Sequence, residues 1–102
     1  MISRARIPLP MDRIAEFCRR WRVVELSLFG SVLRDDFRPD SDVDVLVTFA
    51  PDAEVSLWDW GPMQDELAAI FGRKVDLVEK DAITNPFRRE AILHSYEVVY
   101  GA

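Results

Sequence analysis

The sequence has few of the residues that would strengthen a small protein covalently or attract nucleic acid to it. It contains a single cysteine, Cys18, so no internal disulfide can form. Eighteen acidic residues exceed thirteen basic ones, and the net charge of −5 argues against autonomous nucleic-acid binding, which needs clustered Lys and Arg. No apolar run has the length of a membrane span or the form of a signal sequence, so we expect a cytoplasmic protein with no membrane partner.

What is present suits a small globular protein. Hydrophobic residues make up 49% of the 102 residues, which is enough to build a core. The length predicts a single domain over residues 1–102. A domain of this size buries only about two thirds of its unfolded surface, so a partner protein or a homo-oligomer would add stability.

Hydrophobic spacing and turn residues divide the chain into helices and strands. Helices are predicted from Met11 to Arg20, from about Ser56 to Phe71 and from Pro86 onward; strands are predicted at Val23 to Phe29, Val43 to Phe49, Lys74 to Val78 and Glu97 to Tyr100. Gly61-Pro62 leaves two alternatives open, because the second helix either begins there or kinks there. The pattern predicts an α/β (α+β) domain, with helices packed against a small mixed β-sheet.

The same spacing predicts which side chains face inward. Cys18 belongs to the apolar stripe of the first helix and is interpreted as a packing thiol. In the first strand Val24 is predicted to share a face with Leu26 and Leu28. The inward-facing residues predicted for the later helices are Leu57, Trp60, Met63, Leu67, Ile70 and Phe71, then Phe87, Ile92, Leu93 and Tyr96. The tryptophans Trp21, Trp58 and Trp60 are interpreted as core or interface residues.

The stretch from Leu26 to Phe49 contains the residues that indicate chemistry. Asp42 and Asp44 lie two apart on a strand, so both carboxylates project from the same side of the sheet. Such a pair repels unless a divalent cation is bound. Gly30 lets the backbone approach a ligand closely, and Ser31 can open a helix whose free N–H groups suit a phosphate. The combination indicates chemistry on a nucleoside triphosphate.

A third carboxylate, Asp76, lies in the middle of the apolar strand from Lys74 to Val78. A charge there is costly unless something binds it. Two interpretations remain open for it: a share in the carboxylate site, or an ion pair with an arginine such as Arg73.

These residues together resemble a known superfamily. Gly30-Ser31, ten intervening residues, Asp42-x-Asp44 and a later Asp76 are similar to the nucleotidyltransferases that include DNA polymerase beta. The similarity is greatest to the minimal nucleotidyltransferases (MNT), small prokaryotic proteins usually encoded beside a HEPN-domain toxin. It extends over nearly the whole chain, because residues 71–77 and 85–93 also resemble segments of that family.

The resemblance implies roles for particular residues. Asp42 and Asp44 would ligate two Mg²⁺ ions, and Asp76 would bind one of them and help to activate an acceptor hydroxyl. Gly30 and Ser31 would hold the β and γ phosphates of ATP, and Arg34 matches an arginine often found after the Gly-Ser pair. The sequence departs from the family at Asp35, because many members carry Gly-Ser-x-Ala-Arg-Gly. For Arg34 and for Arg38, a phosphate contact and a solvated surface position both remain open.

The resemblance also implies a function. The expected activity is Mg²⁺-dependent transfer of AMP from ATP to a hydroxyl, most readily a tyrosine of a cognate HEPN toxin, so that the chain acts as the antitoxin. Two alternatives are a non-catalytic antitoxin that neutralises the toxin by binding, and nucleotidyl transfer to a small molecule or an RNA end. Arg89 and His94 reproduce the Arg-x4-His spacing of HEPN ribonucleases, but those are helical bundles and this chain is rich in strands.

Overall fold

The computed structural model describes residues 5, 7–35 and 37–101. Three helices and four strands alternate in it: α1 Met11–Trp21, β1 Val23–Phe29, β2 Val43–Phe49, α2 Leu57–Phe71, β3 Val75–Glu79, α3 Pro86–His94 and β4 Tyr96–Tyr100. The bounds predicted for β1 and β2 are confirmed, and the other predicted elements shift by about one residue. Some positions before α1 and one between β1 and β2 lie outside the described residues.

The four strands form one mixed sheet in the order β3-β2-β1-β4. The central strand β1 runs antiparallel to both of its neighbours, whereas β2 and β3 are parallel. A parallel pair needs a crossover connection, which α2 provides. This confirms the α/β (α+β) class and the small mixed sheet with packed helices.

Local signals fix the ends of the helices. Asn85 caps α3, because its side-chain Oδ1 accepts from the backbone N–H groups of Phe87 and Arg88 at 2.9 and 3.1 Å. The start of α2 is held by a reciprocal capping box between Ser56 and Asp59. Its end is Gly72, which adopts a left-handed conformation with φ of +72°.

One of the two alternatives at Gly61-Pro62 is excluded, because the helix does not begin there. Helix α2 begins at Leu57, five residues before the proline, and continues through it to Phe71. Pro62 cannot donate a backbone hydrogen bond, but its side chain is exposed, on the solvent side of the helix.

The sheet buries its two faces unequally. Helices α1 and α2 cover one face, where the main core includes Phe17 and Cys18 of α1, Met63 and Leu67 of α2, and the alternate valines of β2. The other face carries a smaller cluster of Phe29, Leu46 and Ile92, covered by α3. Because α3 has only nine residues, part of this second face stays accessible.

Three predictions of inward-facing residues are wrong, those for Val24, Leu57 and Phe87. Val24 is exposed because a bulge between Val23 and Glu25 changes the alternation of β1. Leu57 and Trp58, in the first turn of α2, are 93% and 89% exposed, so Trp58 is no core residue. Phe87, in the first turn of α3, is 84% exposed. Leu57 and Phe87 both match the helical spacing of their helices, so that spacing alone does not bury a residue of the first turn.

In the described residues, no helix combines the length and apolarity that crossing a membrane would require.

Candidate active site

Two aspartates from neighbouring strands lie side by side on the less covered face of the sheet. Asp44 of β2 and Asp76 of β3 are direct partners in the parallel register. Parallel strands are about 4.8 Å apart, and partners in register point to the same face. Asp42 precedes β2 by one residue and lies close enough to Asp44 for its charge to raise the pKa of Asp44. The structure therefore gathers the predicted Asp42, Asp44 and Asp76 at one edge of the sheet.

The electrostatics of Asp44 reflect this gathering. Its side chain is half-buried, and its pKa is raised from the ordinary value of 3.8, first by burial and then by the charges of Asp76 and Asp42. The guanidinium groups of Arg34 and Arg88 oppose this rise in the pKa. A raised carboxylate pKa means that the ionised form is held at a cost, which a bound cation would relieve.

The donor chemistry of the three aspartates fits a magnesium ion, because Mg²⁺ prefers carboxylate oxygens. The side chains nevertheless do not form a closed ligand set. Within the residues that the structure describes, no group of three or more His, Cys, Asp or Glu side chains is arranged to hold a metal ion. Asp42 and Asp76 are exposed, so their side chains have room to turn toward an ion.

Gly30 is fitted directly against Asp44. Its φ is +76°, a conformation that L-residues with side chains avoid. A Cβ at this position would collide with Oδ2 of Asp44 and would lie 3.3 Å from its Cγ. The backbone of Gly30 therefore lies so close to the Asp44 carboxylate that no side-chain atom fits between them.

The segment after Gly30 is shorter than the predicted helix start. Residues Gly30–Leu33 form one 3₁₀ turn, which ends where the backbone of Arg34 becomes extended. Ser31 is half-buried in this turn, beside the carboxylate site. The helix expected at Ser31 is therefore a single 3₁₀ turn of four residues, with Val32 buried in the core.

Two arginines flank a small cavity beside Gly30. The cavity measures about 240 Å³, and its lining includes Phe29, Gly30, Arg34 and Arg88. Arg34 was expected near the site, whereas Arg88 was missed. It is the third residue of α3, and only the way that α3 crosses the sheet brings it to Asp44. Arg38 lies in a different surface pocket, together with Arg73.

A larger cavity of about 500 Å³ opens on the other side of Asp76. Its lining includes Asp76 and Glu79 of β3, Leu57 and Trp60 of α2, and Ile83. Arg88 also lines this cavity, so it borders both. The cavity could not be recognised in the sequence, because its walls come from four separate segments: α2, β3, the residues after β3, and α3.

Arg73 is engaged away from Asp76. Its Nη1 donates to the backbone carbonyls of Arg38 and Ser41 at 3.1 and 3.2 Å. Its guanidinium lies over the ring of Phe37, 4.6 Å from the centroid. These contacts favour a role for Asp76 in the carboxylate site over the alternative ion pair with Arg73. His94 is the last residue of α3, as expected for a helix-end histidine.

Comparisons with known proteins agree with this geometry. The family model described as the nucleotidyltransferase domain matches residues 11–99. A protein adenylyltransferase, MntA, of Thermococcus cleftensis is 35% identical over 85 residues, covering 83% of this chain and 81% of that protein. A solved structure described provisionally as a minimal nucleotidyltransferase is 33% identical, with a TM-score of 0.64 and coverage of 86% and 87%.

Two solved toxin–antitoxin complexes share the fold at lower identity. One, determined with AMP-PNP, is 20% identical with a TM-score of 0.73, over 92% of this chain and 75% of that one. The other is a Shewanella oneidensis complex of a tri-AMPylated HEPN toxin with an MNT antitoxin. It is 19% identical with a TM-score of 0.65, over 89% and 69% of the two chains. Fold, site and sequence similarity agree: the chain belongs to the nucleotidyltransferase domain family and, within it, to the minimal nucleotidyltransferases.

Proposed function

We propose that the chain is a Mg²⁺-dependent protein adenylyltransferase that moves AMP from ATP to a tyrosine hydroxyl of a HEPN-domain toxin, and so acts as its antitoxin. The observation that supports this most is the parallel register of Asp44 and Asp76, with Gly30 packed against the Asp44 carboxylate. In that arrangement the backbone of Gly30 and the carboxylates of Asp44 and Asp76 lie close together.

Each site residue has a role in this proposal. Asp42, Asp44 and Asp76 would hold the magnesium, which would supply charge stabilisation for the oxygens around the α-phosphorus. Gly30 and Ser31 present backbone and hydroxyl groups to the β and γ phosphates. Arg34 adds positive charge to the same side, where its guanidinium opposes the rise in the pKa of Asp44.

The reaction is a substitution at the α-phosphorus of ATP. The acceptor oxygen forms a bond to that phosphorus, the bond to the bridging oxygen of the β-phosphate breaks, and pyrophosphate leaves. The proton of the acceptor hydroxyl passes to the carboxylate of Asp76 and then to water. Asp76 is suited to this step because its side chain is exposed beside the larger cavity.

A macromolecular acceptor fits the openness of the site. The domain has few walls of its own around the aspartates, so the acceptor must itself hold its hydroxyl in line with the α-phosphorus. An added AMP carries an anionic phosphodiester and a base, which would block an RNA-binding cleft of the toxin by repulsion and by volume. Because ATP and Mg²⁺ are both needed, we place the reaction in the cytoplasm.

Mass spectrometry of the candidate toxin tests the proposal. The toxin is incubated with the chain, ATP and Mg²⁺, and we expect adenylate mass on a toxin tyrosine only when all components are present. An Asp42→Ala, Asp44→Ala double variant should add no mass and should leave the toxin active.

One result would favour the binding alternative instead. If the double variant silences the toxin as well as the unmodified chain does, with no added mass, neutralisation is by complex formation. The exposed side chains of Leu57, Trp58 and Phe87 would suit such an interface, since large apolar groups are usually buried in complexes.

A further inference from the structure

We propose that the 500 Å³ cavity beside Asp76 is the acceptor pocket, which binds the aromatic ring of the protein tyrosine that receives AMP. This inference rests on the proposed function and extends it, because it assigns the side of the site opposite the phosphates. The residues that define it are Leu57, Trp60, Ile83 and Arg88.

The walls of the cavity suit a flat ring. Trp60 is half-buried and is fixed by an edge-to-face contact with Phe49, with ring centroids 6.2 Å apart. Ile83 is half-buried and packs against the cluster beneath α3. Leu57 stands at the mouth with 93% of its surface exposed, so it has apolar area to lose when a ligand enters. A serine or threonine side chain is too small to cover this apolar lining and would leave most of it exposed to solvent.

The charges of the cavity disfavour phosphate. Asp76 and Glu79 both line it, against a single cation, Arg88. The smaller cavity beside Gly30 instead combines Arg34 and Arg88. A triphosphate therefore belongs in the smaller cavity. A phenol hydroxyl can donate a hydrogen bond to these carboxylates, whereas an anionic phosphate is repelled by them.

Arg88 connects the two cavities. Because it lines both, a ring in the larger cavity and phosphates in the smaller one would face each other across Asp44 and Asp76. Such placement is what an in-line attack on the α-phosphorus requires.

The pocket is built on rigid elements. Asp76 and Glu79 belong to β3, which is paired with β2 along its length. Leu57 is held by the capping box, in which the backbone N–H of Ser56 donates to Oδ2 of Asp59 at 3.0 Å. A site whose residues are held by strands and a capped helix needs little rearrangement to bind.

Binding of a tyrosine peptide to the ¹⁵N-labelled protein tests the pocket without requiring catalysis. The probes are a short acetylated peptide amide containing tyrosine, the same peptide with serine in its place, and adenosine. We expect the tyrosine peptide to shift the amide signals of residues 57, 60 and 83, and the serine peptide to bind at least tenfold more weakly.

A matched pair of variants makes the test specific. Leu57→Asp should raise the Kd of the tyrosine peptide about tenfold, because it replaces an apolar wall by a charge. Trp58→Asp is the control: Trp58 is the next residue of the same turn and nearly as exposed, but it is not among the residues that line the cavity. The control should bind the peptide as the unmodified chain does.

Three results would overturn the inference. The tyrosine peptide would leave the signals of residues 57, 60 and 83 unchanged, or adenosine alone would shift them, or the two variants would weaken binding equally. Failure of the proposed function gives a different result. In that case the tyrosine peptide binds and Leu57→Asp weakens it, while no adenylate reaches any acceptor.

Discussion

Gly30→Ala should damage the site through a collision that a matched glycine substitution lacks. Both Gly30 and Gly72 have a φ between +70° and +80°. A Cβ at Gly72 would meet nothing within 4 Å, whereas a Cβ at Gly30 would strike the Asp44 carboxylate. Left-handed backbone costs an alanine about 1–2 kcal/mol, and this strain is common to both variants. Only Gly30→Ala must also rotate the Asp44 side chain away from its rotamer, at about 0.5–1.5 kcal/mol more.

Thermal unfolding and AMP transfer measure the two consequences separately. Each kcal/mol lowers the Tm of a domain of this size by about 4–8 °C. Gly72→Ala should therefore lose stability and keep its transfer rate. Gly30→Ala should melt lower still and transfer AMP about 100-fold more slowly, because displacing a reacting group by about 1 Å has an effect of that size.

A double-variant cycle identifies the collision itself. In an Asp44→Ala background, the extra destabilisation of Gly30→Ala should disappear, and the substitution should then cost what Gly72→Ala costs. The reasoning is refuted if Gly30→Ala, with its fold confirmed by circular dichroism, transfers AMP at the unmodified rate or if its cost persists unchanged without the Asp44 carboxylate.

Three further substitutions have defined outcomes. Asp44→Asn should abolish transfer. In metal-free buffer the variant should nevertheless become more stable than the unmodified chain as the pH rises from 3.8, because the raised pKa of Asp44 means that ionising this carboxylate beside Asp42 and Asp76 destabilises the fold. Equal melting temperatures of the two proteins at pH 7 would contradict this. Pro62→Ala should raise stability by about 1–3 kcal/mol in urea unfolding, since it restores a helical hydrogen bond, and a loss would show that the proline is needed for packing. Asn85→Ala should cost about 1 kcal/mol by removing the cap of α3, with Asn85→Asp as the control that keeps it; no difference between these two would exclude the cap.

Where the sequence pattern was strong and local, it predicted the structure well. Strand β2 is bounded by turn residues and alternates valines with other residues, so its limits and its buried face followed directly. Asn85-Pro86 predicted the start of α3 because a capping side chain and a proline at the first position act within one turn. The carboxylate pair was predictable from strand periodicity, because residues two apart must share a face.

The features that were missed depend on distant contacts. Arg88 approaches Asp44 only because α3 crosses the second face of the sheet, and no spacing in the sequence encodes that angle. Leu57 and Phe87 match the helical period but are 93% and 84% exposed, because the period does not show where the core ends along a helix. The cavity beside Asp76 is likewise assembled from α2, β3, the residues after β3, and α3.

The parallel pairing of β2 with β3 also protects the site against misfolding. Val75 and Leu77 are buried in the main core, and Asp76 lies between them on the opposite face. A slip of β3 by one residue would turn Asp76 into that core and expose both apolar side chains, at a cost of several kcal/mol. The hydrophobic core therefore favours the register that sets Asp76 beside Asp44, because a slip by one residue would bury the Asp76 carboxylate. Chains that fold at all should fold with their carboxylates aligned, so destabilising core substitutions are expected to reduce the number of active molecules rather than the activity of each one.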